Sequence, residues 1–204
     1  MAMETIHSMA NSKHRAMFMK LDMAKAYDRV RWEFLYKVLL AFGFAEEWVD
    51  WILSRVTSSS FFVIINGEPL DLFSASRGLR KGDPLSPYLF IIMAEGLGRY
   101  IKSQVERGLI QGWRWNDSLP SYSHLQFVDD TALMGSTRVS EAIKFRRALD
   151  IYLKASGQCI NDGKSSIYFF NTPQPIQNRI ARILRFHIGS LPLIYLGVPL
   201  VLGS

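Results

Sequence analysis

The stretch HLQFVDDTALMG, residues 124–135, sets two adjacent carboxylates, Asp129 and Asp130, between two short apolar runs. Those flanking runs predict two strands joined by a tight turn. Aspartate is a common turn residue and exposed charge there costs little, so a solvent-facing hairpin turn accounts for the pair taken alone. A second acidic strand end changes its weight. AMFMKLD, residues 16–22, alternates Met17, Met19 and Leu21 on one face with Phe18, Lys20 and Asp22 on the other, and ends on Asp22. Antiparallel pairing of the two segments would bring Asp22 beside Asp129 and Asp130, which are expected to occupy the hairpin turn.

Three clustered carboxylates repel, so they either raise one another's pKa or bind a divalent cation that offsets the charge. Oxygen-only ligands favour hard ions, Mg²⁺ or Mn²⁺. A pair of such ions about 3.5–4 Å apart activates an attacking hydroxyl and stabilises a leaving oxygen in phosphoryl transfer, the chemistry of polymerases and nucleases.

The rest of the chain is compatible with a nucleic-acid enzyme. With 204 residues and 49% hydrophobic composition it buries a real core and fits one domain, with room for a partial second one. Lys and Arg number 24 against 18 Asp and Glu, a net charge of +6 that favours polyanionic partners, nucleic acid or an acidic membrane face. A membrane span needs about 18 consecutive apolar residues; runs such as Tyr88–Ala94 are far shorter, so a soluble chain without membrane partners is expected. MAMETIHSMANSKHR turns polar too early for a secretory signal, and a single cysteine, Cys159, forms no internal disulfide. Both fit an intracellular compartment, nuclear or cytoplasmic. Cys159 itself reads as a small buried or surface thiol rather than a nucleophile, with no histidine near it in sequence.

Helical spacing joins Trp32, Leu35, Val38, Leu39 and Phe42, and again Trp48, Trp51, Ile52 and Val56, predicting two core helices. Asn66-Gly67 between apolar runs predicts a hairpin. Ser86-Pro87 predicts a helix start, with Phe90, Ala94, Leu97, Ile101 and Val105 as its buried stripe. A helix over 140–156 closes on Gly157. SIYFF then reads as a strand, PIQNRIARILRF as an amphipathic helix and LIYLGVPL as a last extended segment. This order predicts an α+β fold, an antiparallel sheet covered by helices.

Five ordered blocks, MKLDMAKAYDRVRWEFL, SRGLRKGDPLSPYLF, HLQFVDDTALM, SGQCINDGKSSIYF and IYLGVPL, resemble the palm of reverse transcriptases of non-LTR (LINE-type) plant retrotransposons. The blocks span about residues 16–200. The resemblance implies an RNA-directed DNA polymerase palm over 16–200, preceded by a remnant of the fingers or a leading helix at 1–15 and followed by a short tail at 201–204. It also implies truncated fingers and an absent thumb.

By the same resemblance Asp22 and Asp129 bind two Mg²⁺ ions, Mn²⁺ being an alternative, with Asp130 as a supporting carboxylate. Lys164 protonates the departing pyrophosphate. Tyr27 gates the incoming sugar, while Arg80, Lys81 and Gly82 hold the nucleotide and Val128 lies beside it. Tyr195, Leu196 and Gly197 form the primer grip. RNA template, DNA primer and deoxynucleoside triphosphates are the implied partners. The basic groups Arg77, Arg80 and Lys81, then Arg146 and Arg147, then Arg179, Arg182 and Arg185 are candidates to track phosphates; for the last two, solvated helix faces are the better account.

Two positions depart from the family pattern. Lys81 stands where glutamine is usual, exchanging a paired donor and acceptor for a charge. Val128 stands where a small residue is usual. These departures support a rival reading, a catalytically silent retrotransposon-derived fragment with weak nucleic-acid binding. A metal-dependent nuclease is the third.

Overall fold

The structure, a computed structural model, describes residues 2–114, 121–195 and 198–200. In chain order its elements are α1 (Ala2–Asn11), β1 (Ala16–Leu21), α2 (Trp32–Ala41), α3 (Glu46–Thr57), β2 (Ser60–Phe61), β3 (Ile64–Ile65), β4 (Glu68–Pro69), β5 (Phe73–Ser74) and α4 (Ser86–Glu106). There follow β6 (His124–Phe127), β7 (Asp130–Ser136), α5 (Val139–Ser156), β8 (Ser166–Phe170), α6 (Gln174–Leu184), β9 (His187–Ile188), β10 (Leu193–Tyr195) and β11 (Val198–Leu200). They divide into two compact units, one of residues 1–24, 97–152 and 160–204, the other of 25–96 and 153–159.

The first unit is built on a five-stranded sheet ordered β6-β7-β1-β8-β9. β1 lies at its centre, antiparallel to β7 and β8, with Phe18 opposite both Met134 and Tyr168. A central strand is covered on both faces, which is why Ala16 through Met19 are all fully buried although the sequence alternates. Ala16, Phe18, Ala132, Met134 and Phe170 face one side and pack with Ile6 and Met9 of α1, Trp113, and Leu193 and Tyr195 of β10. On the other side α5 sits so close that a Cβ on Gly135 would meet the Phe145 ring at 2.8 Å. Each fully buried Ile, Leu, Met or Phe side chain here contributes about 1.5–3 kcal/mol, the alanines less.

The second unit carries α2, α3, two short strand pairs and the start of α4. Asn66 and Gly67 both take positive φ, 51° and 87°, as the predicted hairpin turn between β3 and β4 requires. The predicted stripe of α3 is shifted. Val49 and Ile52 are buried, whereas Trp48 is 38% and Trp51 56% exposed. Instead of entering the core, Trp48 stacks on Phe44 and Trp51 lies under the Arg55 guanidinium. Helix α4 starts at Ser86 itself, and Asp83 turns the chain into it by accepting the Leu85 amide at 2.8 Å. Gly157 closes α5 at φ 80°, as expected.

Candidate active site

Asp22 follows directly on the end of the central strand and is held there by its backbone. Its N–H donates to Ser165 Oγ at 3.0 Å and its carbonyl accepts the Asn161 N–H at 2.8 Å. A β-bridge from Met23 to Ile160 extends the same clamp. The side chain is thus presented, half-buried, at a fixed point at the end of the central strand.

The acidic doublet arrives from the other side. Leu21 pairs with Thr131, so one step further Asp22 stands across from Asp130. Phe127 pairs with Asp130, which confines the turn to Val128 and Asp129. The expectation that both aspartates occupy the turn is therefore corrected: Asp130 is the first residue of β7, half-buried, and only Asp129 projects from the turn, exposed. Val128 carries this tight turn at φ 54°, a left-handed conformation that a β-branched residue adopts only under strain.

Electrostatics tie these groups together. Burial pushes the Asp130 carboxyl above its usual range, the Lys20 ammonium opposes that shift, and the charges of Asp129 and Asp22 add to it. Burial also raises the Tyr195 phenol, and the Asp130 charge raises it further. Lys20, Asp22, Asp129, Asp130 and Tyr195 thus share one field at one end of the sheet. Among the described residues, no three His, Cys, Asp or Glu side chains close on a common point as a finished metal site. The donor set is nonetheless of the right kind: carboxylate oxygens alone, under mutual repulsion that a hard cation relieves.

Lys164 is exposed on the turn leading into β8, next to the Ser165 that holds Asp22. Tyr27, Arg80, Lys81 and Gly82 belong to the second unit. There Tyr27 stacks on Phe90 with ring centroids 4.8 Å apart, and Lys81 pairs with Asp28 at 3.5 Å while both stay exposed. Arg80 is exposed, and Gly82 takes φ 87°. Leu196 and Gly197 lie outside the described residues.

Ser165 and Asn161 are the site residues that sequence reasoning missed. Both stand in the block that supplies Lys164, but nothing local marks a serine or an asparagine as the partner of a backbone 143 residues away for Ser165. Lys20 was legible as sharing the face of Asp22. Its opposition to the acidic group follows from the register.

The model of the family described as reverse transcriptase (RNA-dependent DNA polymerase) matches residues 1–200. An uncharacterized mitochondrial protein of Arabidopsis thaliana is 49% identical over 69 residues, 34% of this chain and 57% of that protein. The retrovirus-related Pol polyprotein of the type-2 retrotransposable element R2DM of Drosophila melanogaster is 27% identical over 170 residues, 83% of this chain but 15% of the polyprotein. Among solved structures, telomerase from Candida albicans with a fragment of telomeric RNA superposes with a TM-score of 0.57 at 16% identity, covering 78% of this chain and 28% of the telomerase. Apo telomerase from Candida tropicalis gives 0.56 at 16% identity over 79% of this chain and 32% of its own. At that identity the likeness speaks for a shared polymerase palm fold.

Proposed function

We infer the function from one premise, that the chain belongs to the reverse transcriptase (RNA-dependent DNA polymerase) family, whose model matches residues 1–200. We propose that residues 16–200 form the palm of an RNA-directed DNA polymerase of the non-LTR retrotransposon type. The reaction joins a primer 3′-hydroxyl to the α-phosphorus of a deoxynucleoside triphosphate and releases pyrophosphate, with RNA as template. The observation that carries this reading is Asp22 standing across from Asp130 with Asp129 in the adjoining turn.

Polymerases of this family use divalent metal ions, which supply Lewis-acid stabilisation of the reacting oxygens when bound. In our reading Asp22 and Asp129 hold two Mg²⁺ ions and Asp130 sets the local charge. Lys164 carries the proton given to the departing pyrophosphate. Tyr195, buried against the same sheet face, supports the primer end together with Leu196 and Gly197. Tyr27 screens the sugar of the incoming nucleotide, and Arg80, Lys81 and Gly82 meet its phosphates and the template.

Primer extension on an RNA template with Mg²⁺, by these residues flanked by the fingers and thumb of a relative, tests the proposal. Asp129→Asn is expected to lower extension at least about 10³-fold, the order lost when a key stabiliser of transition-state charge is removed. Extension at the parental rate would refute the role of Asp129.

One pair of observations favours a second reading, a silent domain that keeps the fold and binds nucleic acid weakly. Lys81 is engaged by Asp28, and Val128 strains the turn beside Asp129. Restoring Lys81→Gln and Val128→Ala in the same protein separates the two. A silent domain gains activity, an active palm changes little.

A further inference from the structure

At the end of the central strands away from the aspartates, where β1 begins and β7 finishes, the first unit opens into a cavity of about 1160 Å³. About six residues of strand, roughly 20 Å, separate it from Asp22. Lys13, Arg15, Arg114 and Arg138 line it together with His7 and His14. Among the described residues no aspartate or glutamate lines it. Four like charges around one hollow repel, and the repulsion is relieved by a polyanion entering it.

The wall that carries these cations is anchored from behind. Glu141 is 3% exposed, and its carboxylate accepts the Gln111 and Gly112 amides, both at 3.2 Å, as well as the Ser136 hydroxyl. That single acid ties the segment bearing Trp113 and Arg114 to the strand end bearing Thr137 and Arg138. Its oxygens are occupied by these three donors, so it is not presented to the cavity. Trp113 and Tyr122 add two mutual backbone hydrogen bonds of 2.7 Å. Trp113, 4% exposed, belongs to the wall while packing with the core, and among the described residues its buried indole N–H has no hydrogen-bond partner. A buried donor without an acceptor costs free energy, and a ligand oxygen or base edge that met it would recover that cost.

We propose that this cavity is a second nucleic-acid site, separate from the aspartate end, which binds the phosphate backbone of single-stranded RNA. Its volume exceeds the range of about 300–1,000 Å³ usual for small-molecule pockets, so it accommodates more than one nucleotide. Cations that track phosphates, with the His7 and His14 imidazoles among them, match an unpaired strand whose bases turn inward, which a stacked duplex does not offer. The choice of RNA over DNA rests on the RNA-templated reading above. The site itself does not.

Fluorescence anisotropy of the 204-residue chain with an end-labelled single-stranded oligoribonucleotide, titrated at several salt concentrations without divalent ions or nucleotides, tests this. Arg114→Ala combined with Arg138→Ala is expected to weaken binding at least about tenfold and to lower the salt slope by about 0.7 per arginine removed. The paired Arg→Lys variant is expected to keep the slope. Both arginines are exposed, so the core is spared; should the alanine pair melt early, the Arg→Gln pair repeats the measurement. Parental affinity and slope in folded alanine or glutamine variants would overturn the proposal. So would binding to phosphatidylserine vesicles in place of RNA. Because no catalysis is read, failed extension at Asp129 leaves this result intact, and lost binding here leaves Asp129 untouched.

Discussion

The backbone N–H of Asp22 donates a 3.0 Å hydrogen bond to the hydroxyl of Ser165, 143 residues further along the chain. Together with the Asn161 amide on the Asp22 carbonyl, it fastens the acidic end of β1 to the segment that leads into β8. The carboxylate is aimed by a neighbour strand, not by its own loop.

Ser165→Ala should therefore loosen Asp22. Loss of the acceptor costs about 1 kcal/mol, or roughly 2–4 °C in the melting midpoint for a chain of this size. Calorimetry of Ser165→Ala beside Ser165→Thr, which keeps a hydroxyl, measures it. An alanine variant that melts with the parent would show that the bond contributes nothing.

Asp130 yields a pH prediction. Burial first, then the Asp129 and Asp22 charges, hold its carboxyl above the ordinary value in the folded state, while Lys20 opposes them. The folded protein therefore keeps the proton to higher pH than the unfolded chain does. The resulting stabilisation is full below the unfolded value, about 3.9, and is lost as pH rises through the raised folded value. Asp130→Asn removes that loss. In divalent-free buffer it should unfold at a higher urea concentration than the parent at pH 7, with the difference closing below about pH 4. Coincident urea midpoints at pH 7 would contradict the buried, mutually repelled carboxylate.

Val128 gives a third. Its φ of 54° is unfavourable for a branched side chain and costs about 1–3 kcal/mol, part of which Gly recovers despite its greater unfolded-state entropy. Val128→Gly is expected to raise stability by about 1 kcal/mol, read from denaturant midpoints at unchanged slope. A lower midpoint would mean that the valine side chain contributes more through packing than its backbone loses.

The fold was legible wherever a local rule governs it. Alternation in AMFMKLD, the Asn66-Gly67 turn and the closing Gly157 each depend on residues a few positions apart, and each is present in the structure. The α3 stripe was not, because Trp48 and Val49 both satisfy helical spacing and only the surface α3 meets decides which of them is covered. Asp130 moved from turn to strand for a similar reason, since a two-residue turn is set by the pairing of Phe127 and cannot be read from two adjacent aspartates.

By itself the sequence determined the family, the ordered blocks, the α+β character and the identity of the acidic residues, since all of these rest on residue types and near-neighbour spacing. Only the tertiary structure decided that Asp22 faces Asp130, that Ser165 holds Asp22, that Asp130 is raised while Lys20 opposes it, and that a basic hollow opens at the far end of the same strands. Each of those depends on register and burial, which are properties of segments distant in the chain brought within a few ångströms, where desolvation and charge act together.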